Sequence, residues 1–225
     1  MIDIHWSLPN TDLQLGLLEA SGVHWSAAGY PSEGLLDDAI SAAVSSARQG
    51  NLPPEPTRVA IRDLLRSGGF KPTGRSKPAS EYLAKAAIES FPRISNLVDI
   101  NNLVSLQTGW PCSMIDLDLA SDQPLEIRLG RKEEAYVFNG AGHSIDVAGL
   151  ICVARLHGDP IANPVKDSMA TKARESTSRV LFVAYASQRV ASQREVVDVL
   201  TDVGNLLQRH AGAASVEAHC LPADA

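Results

Sequence analysis

The stretch from Ser95 to Gln107 constrains this chain most, because it makes two demands that rarely meet in one helix. Leu97, Val98, Ile100, Leu103, Val104 and Leu106 lie all round a helical axis, which predicts a helix enclosed by other structure rather than half exposed. Its first two turns nevertheless carry Asn96, Asp99, Asn101 and Asn102. An amide or carboxylate left unpaired inside a protein costs roughly 1 to 3 kcal/mol. These groups therefore need partners, from the fold or from a ligand.

Around this helix the patterning predicts an α+β fold, a mixed β-sheet with flanking helices. Leu13 to Ala20 reads as a buried strand, and Glu33 to Arg48 has helical spacing through Leu35, Leu36, Ala39, Ile40 and Val44. The prolines of Asn51 to Pro56 mark a connection, after which Thr57 is placed to cap a helix from Arg58 to Arg66 that stops at Gly68-Gly69. A basic loop, Pro72 to Pro78, leads to a helix from Ser80 to Glu89 that ends before Pro92. Beyond Gly109, β-branched and apolar runs at 113–119, 125–129, 135–138, 150–156 and 179–186 predict strands. Ser192 to His210 is amphipathic and reads as a terminal helix, with an edge strand at 215–220.

At 225 residues, with 44% hydrophobic and 20% charged residues, the chain has material for a substantial core and is expected to form one domain over 1–225. The start lacks a basic and apolar leader pattern and no segment has the apolar length to cross a bilayer, so a cytoplasmic protein without membrane contact is expected. Cys112, Cys152 and Cys220 form no CxxC pair, and the six histidines show no ligand spacing; reduced thiols, no metal and no cofactor are the expectation. A net charge of −6 argues against a broadly electropositive polyanion binder. Between Arg58 and Arg93, however, eight cations face three carboxylates. That strip is either a solvated helical face or a contact for nucleic acid.

The run from Phe91 to Asp118, FPRISNLVDINNLVSLQTGWPCSMIDLD, resembles the B3/B4 editing domain of the phenylalanyl-tRNA synthetase β subunit. A valine-aspartate-hydrophobic-x-asparagine helix, followed by a proline and an aspartate-bearing strand, is met by Val98, Asp99, Asn102, Pro111 and Asp116. Stand-alone B3/B4 proteins are similar as well, through Arg75-Ser-Lys-Pro-Ala-Ser-Glu-Tyr82 and Asn163-Pro-Val-Lys-Asp-Ser168. The similarity spans about 13–186, which leaves the helix and edge strand within 187–225 as an addition.

The resemblance implies hydrolysis of a wrongly charged tRNA, with the acceptor end and the amino acid moiety as partners. Asn102 and Asn101 would position the attacking water, with assistance from the ribose hydroxyl. Pro111, Cys112, Ser113, Asp116, Asn163, Lys166, Asp167 and Val183 would contact the substrate, and Arg62, Lys71, Arg75 and Lys77 the tRNA. The synthetase pattern has histidine at the position of Ser113 and glutamate at that of Val183. An aminoacyl ester is already activated and needs mainly a positioned water and oxyanion donors, so the missing histidine does not preclude catalysis. Valine in place of glutamate implies selection of an apolar side chain. Lys166 and Asp167 are read as a clamp for amino and carboxyl or phosphate groups, or as a surface ion pair. His143 is read as a lid residue or a solvated one. A non-catalytic binder of tRNA or amino acid, and an esterase or amidase for a small aminoacyl compound, are the competing functions.

Overall fold

The structure, a computed structural model, describes residues 2–9, 11–27, 35–50, 52–120 and 123–222. In chain order these form β1 (Ile4–Trp6), β2 (Leu13–Ser21), α1 (Leu35–Arg48), α2 (Glu55–Arg66), α3 (Ala79–Glu89), α4 (Asn96–Thr108), β3 (Cys112–Asp116), α5 (Leu117–Ala120), β4 (Leu125–Leu129), β5 (Ala135–Val137), β6 (Ser144–Asp146), β7 (Ile151–Arg155), β8 (Pro160–Ala162), β9 (Arg179–Ser187), α6 (Gln193–Ala211) and β10 (Ser215–Leu221). The fold is α+β. Instead of one sheet there are two four-stranded sheets, ordered β1-β4-β7-β8 and β10-β2-β9-β3, and a β5-β6 hairpin. The β1-β4 pairing is parallel and the others antiparallel, so only the first sheet is mixed.

The central strands β2 and β9 are apolar without alternation because both of their faces are covered. On one face, Gly16 lets α6 come close: a Cβ there would meet Val196 at 2.8 Å. Gly16 and Leu18 pair with Ala184 and Phe182, which in turn pair with Cys112 and Met114 of the edge strand β3. These side chains share the face that carries the helices. Ser113, Val183 and Tyr185 point the other way, where Tyr185 lies near Cys152 of β7. The three cysteines are buried and form no disulfide among the described residues.

Local sequence chemistry explains most boundaries and two corrections. α2 begins at Glu55, not after Thr57, since Pro56 falls in the first turn, where a missing amide costs no hydrogen bond. β3 stops at Asp116 rather than Leu119, because Leu117–Ala120 turns helical and the Asp116 carboxylate accepts from the Leu119 amide at 3.2 Å. Ser95 caps α4 by accepting from the Val98 amide. Gly109, at φ 75°, ends α4 in the left-handed conformation. A Cβ at Gly109 would also strike Pro53 at 2.6 Å. A capping box between Ser192 and Glu195 starts α6. Among the described residues, no helix is long and apolar enough to cross a membrane.

Candidate active site

The four polar groups of α4 divide between two tasks. Asn96 and Asp99 belong to the scaffold. The Asn96 amide donates to the carbonyls of His24 at 2.7 Å and His210 at 2.9 Å, and accepts from the amides of Ser26 and Leu97. It thereby ties α4 to the segment after β2 and to the end of α6. Asp99, fully buried, accepts from the Arg93 guanidinium at 2.6 Å and the Ile94 amide at 2.9 Å. Asn101 and Asn102 instead line a cavity of about 340 Å³ beside the start of β3.

The Asn102 side chain has no hydrogen-bond partner among the described residues, while that of Asn101 reaches only the Cys112 carbonyl, at 3.4 Å. The Asn101 Oδ1 is buried without a partner. Asp167 and Lys172 line the same cavity, with Trp25, Ile94, Val98 and Met114 among its apolar walls. Burial pushes the Asp167 carboxyl up to about 7, a rise only partly offset by the Ser113 hydroxyl, which donates to it at 2.7 Å. Ser113 lies 3.3 Å from the Tyr185 hydroxyl, and burial pushes that phenol well above its ordinary value. Lys172 donates to the Phe138 carbonyl at 2.7 Å. The site thus combines unpaired amides with a carboxyl that changes charge near neutral pH.

The other predicted site residues fall into three groups. Cys112 and Asp167 line the cavity. Burial, reinforced by the nearby Asp167, holds the Cys112 thiol protonated, which removes it as a nucleophile at neutral pH. Pro111, Ser113 and Asn163 act one step back. The Pro111 carbonyl accepts from the Tyr185 amide at 3.0 Å and fixes the start of β3. The Asn163 Oδ1 accepts from the amides of Val165 and Lys166 at 2.7 and 2.9 Å, and its Nδ2 donates to the Tyr136 hydroxyl, shaping the loop that presents Asp167. Asp116 and Val183 stand apart from the cavity. Asp116 is buried and accepts from the Thr177 hydroxyl at 2.6 Å. Val183, opposite Ser113 in the β3-β9 ladder, is fully buried on the face turned away from Cys112 and Met114. Its apolar character therefore does not shape the cavity.

Lys166 points elsewhere than its neighbour. It lines a second cavity, of about 590 Å³, together with Lys71, Arg75 and His143. The basic strip separates in the same way. Arg62 is held by Glu81 in a two-point ion pair, Arg58 pairs with Glu55, Arg66 with Asp63, and Arg93 with Asp37 and Asp99. Lys71, Arg75 and Lys77 pair with no carboxylate among the described residues, and Lys77 lines neither cavity. Nor do three His, Cys, Asp or Glu side chains gather where they would hold a metal, among the described residues.

Several cavity residues escape a reading of the sequence. Met114 follows from strand periodicity, being two residues after Cys112 on one face. Trp25, Ile94 and Lys172 carry no local signal and arrive by tertiary packing.

A family model described as B3/4 domain matches residues 71–221. The chain belongs to the B3/4 domain family. That family is linked to domains of the phenylalanyl-tRNA synthetase β type. A search of curated proteins finds no match. The B3/4 match runs through residue 221 and so takes in α6 and β10. Their packing agrees, since β10 completes the edge of the sheet beside β2 while α6 covers its face.

Proposed function

We propose that this B3/4 protein acts in trans as a deacylase, hydrolysing the ester that joins an apolar amino acid to the acceptor end of a tRNA. The observation that carries the reading is the meeting, in one walled cavity, of the buried and partnerless Asn101 Oδ1, the Asn102 side chain and the near-neutral Asp167 carboxyl. An ester needs a base to receive a proton from water and donors to meet the oxyanion, and little else. In this scheme Asp167, in its ionised form, accepts a proton as the water oxygen adds to the ester carbonyl carbon. Asn102 donates to the oxyanion, and Asn101 holds the water. The carbon–oxygen bond to the ribose then breaks, and the proton on Asp167 passes to the departing ribose oxygen. Trp25, Ile94, Val98 and Met114 would receive the amino acid side chain, which supports an apolar substrate in place of the argument from Val183.

A panel of tRNAs carrying correct and incorrect amino acids tests the reading through release of the amino acid. We expect release from a mischarged tRNA carrying an apolar residue, with a rate that rises as pH passes about 7 and Asp167 ionises. Asp167→Asn, which can still accept from Ser113, is expected to abolish release. Absence of release from every member sinks the hydrolytic reading and leaves a binding module.

A further inference from the structure

We infer that the second cavity is a subsite for a single-stranded nucleotide, with Lys71, Arg75 and Lys166 on its phosphate and the Phe138–His143 pair under its base. Three features point to a ligand that is both anionic and flat. First, the three cations lack carboxylate partners among the described residues, as does Lys77 outside the cavity, whereas the arginines of the Arg58–Arg93 strip that lie outside it, Arg58, Arg62, Arg66 and Arg93, are all paired. Lys166 is partly buried, and both its burial and the proximity of Arg75 lower its affinity for a proton. Holding two like charges together with nothing between them is costly, and an entering phosphate relieves that cost. Asp146 is the one carboxylate lining the cavity among the described residues, and its Oδ1 accepts from the Ala148 amide at 2.9 Å.

Second, the loop of the β5-β6 hairpin builds a short aromatic stack. The rings of Phe138 and His143 lie 6.2 Å apart at 25° to one another. His143 is fixed by Asn139, whose side chain meets the imidazole Nδ1 and accepts from the His143 amide, both at 3.0 Å. The Lys166 ammonium sits 3.9 Å from the Phe138 ring centroid. Phe138 is half-buried and His143 exposed, so the stack ends at an open ring face on which an unpaired base can continue it. Aromatic faces beside cations are the physical basis of sequence-tolerant binding to single strands, whereas a duplex offers no free base face.

Third, Lys166 and Asp167 are consecutive, so the two cavities share the wall made by the Asn163–Ser168 loop. The Tyr136 hydroxyl donates to the Lys166 carbonyl at 2.6 Å and anchors that wall to the hairpin carrying the stack. The choice of RNA as ligand rests on the deacylase reading, since a nucleotide held here lies next to the proposed seat of the amino acid.

Binding of a labelled, uncharged four-nucleotide RNA to the full chain, followed by fluorescence anisotropy, separates this inference from catalysis. We expect saturable binding that weakens as salt rises. Arg75→Ala, Lys166→Gln and His143→Ala should each lower affinity about tenfold without shifting the unfolding midpoint. A duplex of the same sequence should compete poorly, as should inorganic phosphate. Unchanged affinity in all three variants overturns the subsite. Competition by phosphate as effective as that by the oligonucleotide, with His143→Ala neutral, overturns the stacking role and leaves an anion site. Binding without release of any amino acid would sink the deacylase reading alone. Release from a small aminoacyl ester, without oligonucleotide binding, would sink the subsite alone.

Discussion

Asn96 and Asp99 in the first turn of α4 take part in at least six side-chain hydrogen bonds, whereas Asn101 and Asn102, less than a turn later, make a single one of 3.4 Å. The chemistry of the groups is nearly the same. What differs is what packs against them: the first turn meets the segment after β2, the end of α6 and Arg93, while the second faces a hollow beside β3. Polar side chains on an enclosed helix thus act as mortar where backbone groups converge on them, and as a binding surface where none do.

Three substitutions can break or sharpen that contrast. The largest effect is expected from Asn96→Ala, which strands two carbonyls and two amides and should cost about 3 kcal/mol of stability in urea unfolding. A loss below about 0.5 kcal/mol would mean that the first turn is no more structural than the second. Next comes Asn102→Ala, expected to slow amino acid release about 100-fold, equivalent to about 2.7 kcal/mol of barrier. Its unfolding free energy should move by less than about 0.5 kcal/mol. A variant that unfolds early instead would place Asn102 with Asn96. The smallest effect is Ser95→Ala, which removes the cap of the first turn and should cost about 1 kcal/mol with no change in the rate of release. A fall in rate without a fall in stability would show that the first turn reaches the site.

Much of the fold was legible because it rests on local rules. The enclosed α4, the strands β2, β4 and β9, and the capped α6 all follow from periodicity and end signals. The division into two sheets was not, since β1, β6 and β8 are three-residue strands whose pairing comes from distant partners. Of the residues singled out by the family motifs, Asn101, Asn102, Cys112 and Asp167 come together around one cavity. Asp116 and Val183 do not line that cavity, because a strand residue belongs to one face or the other, and a shared motif does not say which face. The pairing of Arg62 within the basic strip was illegible for a related reason, as its partner Glu81 is 19 residues away on another helix.

The sequence by itself determined that one apolar helix would carry more polar groups than water could satisfy, and that a loop of cations would follow α2. Only the tertiary structure decided which of those amides the backbone consumed, which cations kept their charge unpaired, and that a half-buried Asp167 would line the same cavity as the amides left over. The reason is that hydrogen-bond satisfaction and desolvation belong to the space around a side chain, and that space is filled by segments far away along the chain.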